Sequence, residues 1–83
     1  MNIHNLLAGI QILLPHYGLD STGYVFDVEL EEFRMYPTPH SRPDSDVQKM
    51  IDLRWHQEHD ERDYGEDFAV KDYRPDKAWI AYV

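Results

Sequence analysis

Apolar residues recur at helical spacing at the start of the chain. Ile3, Leu6, Leu7, Ile10, Leu13 and Leu14 fall on one stripe, which predicts an amphipathic helix over 3–14. Asn2 suits its cap, because a side-chain oxygen there accepts from a backbone N–H of the first turn. Pro15 cannot continue the helix, and Gly18 suits the reversal that follows. Tyr17 is expected to fold back onto the core.

Beyond the turn cluster Asp20-Ser21-Thr22-Gly23 the period changes to two. Tyr24, Phe26, Val28 and Leu30 alternate with Val25, Asp27, Glu29 and Glu31, the pattern of a half-buried strand with an acidic outer face. Phe33-Arg34-Met35-Tyr36 reads as a second strand, with Leu30-Glu31-Glu32 as a tight connection or as part of one bent strand. Pro37, Pro39 and Pro43 then break regular structure.

Ser45 followed by Gln48 has the form of a capping box and predicts a second helix over 46–54, with Val47, Met50, Ile51 and Leu53 on its apolar side. Residues 55–58 extend this helix or, as the preferred reading, begin a third strand, with Trp55 and Gln57 on one face and His56 and Glu58 on the other. The stretch 59–76 is polar and charged, with Phe68-Ala69-Val70 as a short ordered piece inside it. Residues 78–83 form a strongly β-prone closing strand. The order helix, strand, strand, helix, strand, strand predicts an α+β fold for a single domain over 1–83. Its simplest packing is a four-stranded antiparallel sheet with both helices on one face.

Composition narrows the function classes. The chain has 83 residues and no cysteine, which excludes disulfides and thiolate metal sites. No apolar run reaches the roughly 20 residues that span a bilayer, and Met1-Asn2-Ile3-His4 lacks a basic leader, so a cytoplasmic protein is expected. Sixteen acidic residues against eight basic ones give a net charge of −8, which opposes direct binding to nucleic acid or anionic membranes and favours a basic partner.

The acids are clustered. Glu58, Asp60, Glu61, Asp63, Glu66 and Asp67 are opposed within their stretch by Arg62, and Asp27, Glu29, Glu31 and Glu32 form a second group. Held together, such carboxylates make a surface resembling a nucleic-acid backbone and steer encounter with a basic groove. Charge runs also arise simply as solvated surface. Tyr64 and Phe68, aromatics among the acids, are candidate anchors of a protein interface, or equally pin their stretch to the domain. Trp55, Trp79, Tyr24, Phe26, Phe33 and Tyr82 read as core and cross-strand packing.

Other chemistry has little to stand on. His56, His59, Asp60 and Asp63 offer nitrogen and oxygen donors, but not in the zinc-binding H-E-x-x-H order. Residues 60–67 lack the ligand alternation and central glycine of an EF-hand loop. Ser21, Ser41 and Ser45 sit in turn or cap contexts, and the isolated glycines form no phosphate loop. No catalytic residue and no cofactor is expected.

The helix at 6–14, Gly23-Tyr24, Tyr36-Pro37, the run Leu53-Arg54-Trp55-His56-Gln57-Glu58 and the closing Ala78-Trp79-Ile80-Ala81-Tyr82-Val83 together resemble a group of small acidic proteins encoded by phages and mobile elements. Arg54 stands where that group often has glycine. The resemblance spans most of the chain and implies an inhibitor of host defence machinery, like the anti-CRISPR proteins that mimic DNA. The expected partner is a basic surface on a host nucleic-acid-handling complex. The alternatives are an assembly domain that dimerises through a C-terminal edge strand at 78–83, or a small metal-dependent protein using His56 and His59.

Overall fold

The computed structural model describes residues 1–18, 25–57 and 68–82. Two helices, α1 (Ile3–Leu13) and α2 (Asp44–Asp52), accompany four strands: β1 (Phe26–Glu29), β2 (Glu32–Met35), β3 (His56–Gln57) and β4 (Trp79–Tyr82). The strands form one antiparallel sheet in the order β1-β2-β4-β3. This is the α+β architecture expected from the alternation of periods.

The register defines two faces. Phe26 and Val28 of β1 lie opposite Met35 and Phe33 of β2, which lie in turn opposite Trp79 and Ala81 of β4. Met35, Trp79 and Ala81 are buried together with Leu13 of α1 and Val47 and Met50 of α2, so both helices cover this inner face. The outer face carries Asp27, Glu29, Glu32, Arg34, Ile80, Tyr82 and His56, by the alternation of side chains along each strand.

Helix α1 starts as its sequence dictates: the Asn2 side chain accepts from the Asn5 N–H at 2.8 Å. Its buried line is shifted from the expected stripe. Leu13 and Gly9 are buried and Leu6, Ile10 and Ile12 pack on the core, whereas Ile3, Leu7 and Leu14 are exposed. The cause is Trp55. A Cβ on Gly9 would lie 2.1 Å from Trp55 Nε1, and that indole N–H donates to the Asn5 carbonyl at 3.1 Å. Only a residue without a side chain lets the ring lie against the helix, and this contact rotates α1 toward its glycine side. Leu14–His16 then form a 3₁₀ turn containing Pro15.

Tyr17 folds back as expected. It packs on the core, and its O–H donates to the Tyr36 carbonyl. Burial pushes its phenol up from 10.0 to about 12. The folded chain therefore keeps this proton at alkaline pH where the unfolded chain has released it. The stability this group contributes is whole below pH 10 and is lost as pH rises through about 12.

Helix α2 begins earlier than the capping-box pattern indicates. Pro43 is the cap residue, in extended conformation and with no side-chain cap bond, and Ser45 lies inside the helix. Gln48 reaches forward to Asp52 at 2.9 Å rather than back to the cap. Asp44 and Asp46 in the first turn complement the helix dipole instead. Asp46 also faces Arg42 at 3.6 Å and His16 at 3.8 Å, which ties the proline loop and the end of the first helical segment to α2.

The end of α2 shows why Arg54 stands out. The Trp55 N–H donates to the Met50 carbonyl at 3.0 Å and the Arg54 N–H to the Ile51 carbonyl at 2.9 Å. This pair of bonds is the Schellman motif, which needs its next-to-last residue in left-handed conformation. Arg54 adopts φ 71°, at the position where glycine is favoured. The turn aims Trp55 into the core and starts β3, with Trp55 and Gln57 buried on one side as the alternation predicts.

Gln57 is a buried polar side chain with every hydrogen-bonding need met inside the protein. Its Nε2 donates to the carbonyls of Arg74 at 2.8 Å and Lys77 at 3.2 Å, and its Oε1 accepts from the Arg74 N–H at 2.8 Å. The side chain thus clamps the turn that leads into β4. A 3₁₀ turn at Val70–Asp72 precedes it, closed by Asp72 accepting from the Ala69 N–H at 3.0 Å.

Candidate functional site

The acids predicted as a binding surface divide in two. Glu58, Asp60, Glu61, Asp63, Tyr64, Glu66 and Asp67 lie outside the described residues. Asp27, Glu29 and Glu31 belong to the β1–β2 hairpin, and the structure brings them together there.

The hairpin is built from two short strands and the two-residue turn Leu30-Glu31, with Glu29 directly opposite Glu32. Neither turn residue takes a positive φ, unlike the turns that match the twist of paired strands best. Asp27 and Glu29 point to the outer face and Glu31 sits at the tip, all three exposed. Glu29 and Glu32 are like charges placed across the ladder, an arrangement that costs stability. Arg34 relieves Glu32, its Nη2 lying 3.3 Å from Glu32 Oε2. Among the described residues no ion pair engages Asp27, Glu29 or Glu31. Asp27 instead accepts from the Val28 N–H at 2.8 Å.

The opposite face of the same hairpin is apolar and uncovered. Phe26 and Val28 are 55% and 57% exposed and Leu30 is fully exposed. The face of Phe26 and Val28 was read correctly from the alternation, because they share it with Met35 and Phe33, whereas Leu30 lies in the turn beyond the strand. Their burial was not: β1 is exposed along its whole length, not half-buried. The helices cover β2 and β4, and β1 lies beyond them at the edge of the sheet. Phe26 reaches inward only through its neighbour, its ring stacked on Phe33 at 5.6 Å, which meets Trp55 edge-on at 6.2 Å. Phe26, Val28 and Leu30 are the surface residues that sequence reasoning missed. Only the strand order could have revealed them, and no residue pattern within one strand encodes it.

Of the two roles open to Phe68, the structure shows the pin to the domain. It packs on the core with its ring edge-on to Trp79 at 5.6 Å. Tyr73 stacks on the same indole at 5.9 Å, and its hydroxyl accepts from the Arg42 N–H at 2.9 Å. These aromatics hold the approach to β4 against the domain.

The closing strand is also differently placed from the edge position expected of it. β4 lies inside the sheet, paired with β2 on one side and β3 on the other. Among the described residues the edges of the sheet are β1 and β3, so the C-terminal strand offers no open edge for pairing. Of the histidine pair considered for a metal, His56 packs its ring on Tyr82 at 4.8 Å and His59 lies outside the described residues. No group of three metal-ligating side chains occurs among the described residues. No helix among them is long and apolar enough to cross a membrane.

No family model, characterised protein or solved structure matches the chain.

Proposed function

We propose that the protein acts by binding, with the electronegative face of the β1–β2 hairpin docking on a positively charged surface of a partner protein. The observation that carries this reading is the placement of Asp27, Glu29 and Glu31 on one exposed hairpin, where no ion pair among the described residues engages them and Arg34, across the ladder from Asp27, lies against Glu32. A fixed array of unpaired carboxylates raises the local concentration of a basic partner and rejects anionic ones. The net charge of −8 adds a long-range field of the same sign.

The partner class follows from what such a surface imitates. A nucleic-acid-handling protein presents lysines and arginines spaced to meet phosphates. A carboxylate array competes for that groove, and the resemblance to small phage proteins makes a host defence complex the first candidate. The acids of 58–67 would extend the same field. Inhibition by occlusion needs no catalytic residue and no cofactor.

Salt titration tests the reading. Complex formation with a captured basic partner is measured by calorimetry for the native protein and for the Glu29→Lys/Glu31→Lys variant, with circular dichroism confirming the fold. Affinity is expected to fall by about tenfold or more in the variant, close to 1.4 kcal/mol, and to weaken as salt rises. Nucleic acid should compete with the native protein for the partner. Binding that ignores salt, charge reversal and nucleic acid alike sinks the proposal.

A further inference from the structure

The open edge of β1 has a definite phase. The Tyr36 N–H donates to the Val25 carbonyl at 3.0 Å. Residues 25, 27 and 29 therefore aim their backbone groups at β2, and those of Phe26 and Val28 point away from the sheet. The Val28 N–H confirms the phase, because it meets the Asp27 carboxylate rather than β2. The Phe26 N–H and the carbonyls of Phe26 and Val28 have no partner among the described residues. The edge is short and its charges are the acids Asp27 and Glu29, with no lysine, proline or bulge along it to turn away a basic strand.

From this edge we infer that β1 accepts an added strand, and that the strand is an extended segment of another protein with apolar side chains on one face and Lys or Arg on the other. The inference rests on the electronegative-hairpin reading above and adds to it how the partner is held. Backbone pairing to Phe26 and Val28 supplies the docking ladder. Phe26 and Val28 meet the apolar side chains on the inner face and Asp27 and Glu29 meet the cations on the outer face, with Leu30 and Glu31 exposed at the turn beside them.

Charge selects this occupant over a second copy of the chain. Two β1 strands paired antiparallel, inner face with inner face, would match apolar residues to apolar residues. They would also set Asp27 and Glu29 against the same acids of the copy, with like charges directly opposite. A basic strand reverses that sign at every outer position. It also resolves the Asp27 contact: an incoming carbonyl takes over the Val28 N–H, and the freed carboxylate turns to the incoming cation.

The test uses a synthetic peptide of about eight residues that alternates Val and Lys, beside a peptide of the same composition with the two residues in separate blocks. Binding to the full chain is read by fluorescence anisotropy, and the exchange rates of individual amides by NMR. The alternating peptide is expected to bind at least about tenfold tighter than the block peptide, and to slow exchange at Phe26 and Val28. N-methylation of one alternating set of its amides should abolish binding, while methylation of the other set leaves it intact. If block and methylated peptides bind as well as the parent, and Glu29→Lys/Glu31→Lys weakens them all, charge alone holds the partner. The electronegative surface then stands and strand addition falls. If neither peptide binds, strand addition falls as well. If binding is indifferent to Glu29→Lys/Glu31→Lys, both readings fall. Slowed exchange at Val28 that grows with protein concentration, without peptide and with a doubled mass, makes the occupant a second copy and overturns the inference.

Discussion

Strands β1 and β4 have the same length and opposite fates. Each alternates around large apolar residues, and each contributes two side chains to the inner face. In β4, Trp79, Ile80 and Ala81 are all buried. In β1 no residue is buried, although Phe26 and Val28 face the same way as Trp79. The difference is position in the sheet. β4 is paired on both sides and roofed by both helices, with Phe68 and Tyr73 packed on its Trp79. Among the described residues β1 has one neighbouring strand and no helix packed over it. Interior strands hold the fold together, and the edge strand leaves its side chains exposed.

The largest expected effect separates the two strands directly. Trp79→Ala removes a buried indole that two aromatic rings pack against, and should cost about 3–5 kcal/mol of stability. That is a large share of the roughly 5–15 kcal/mol of a whole domain. Phe26→Ala removes one partly exposed stacking contact and should cost about 0.5–1 kcal/mol. Urea unfolding of both variants checks the pair. Equal losses would mean that Phe26 is covered in solution, and the contrast between core strand and open edge would not survive.

A smaller effect probes the core under the roof. Gly9→Ala would gain helix propensity of up to about 1 kcal/mol on an open helix face. Here the new Cβ meets the Trp55 ring, which is buried and hydrogen-bonded to α1 and so has little room to yield. Net destabilisation of about 1–3 kcal/mol is expected in thermal melts. An unchanged or raised melting temperature would show that Trp55 does not lie against Gly9.

The smallest effect has the opposite sign. Arg54 occupies a left-handed position and its side chain is exposed. Arg54→Gly should therefore stabilise by about 0.5–1 kcal/mol, after the extra freedom of glycine in the unfolded chain is deducted. A destabilised variant would point to a contact of the guanidinium that outweighs the backbone strain.

Much of the fold was legible locally. The periods of 3–14 and 24–36 located α1 and the hairpin, Asn2 was the cap it looked to be, and the phase of Trp55 and Gln57 was read correctly. Three points were not settled locally. Ser45 lies within α2 because the chain direction set by Pro43 starts the helix before the hydroxyl can cap it. Leu7 and Leu14 belong to the apolar stripe of α1, yet the core-facing line runs through Leu6, Gly9 and Leu13 and leaves them exposed. Phe68 is an aromatic in an acidic stretch that local sequence left between interface anchor and domain pin, and it packs on the core. Each case turns on a neighbour distant in sequence.

For the candidate site, sequence alone determined that Asp27 and Glu29 share a face and that Phe26 and Val28 share the other. The pleat of a strand enforces that division wherever the strand lies. Tertiary structure decided that this strand is an edge, that the helices stop short of it, and that β4 sits inside the sheet. Strand order and helix coverage depend on pairings between residues far apart in the chain, and no single segment records which of its equally apolar faces will be roofed.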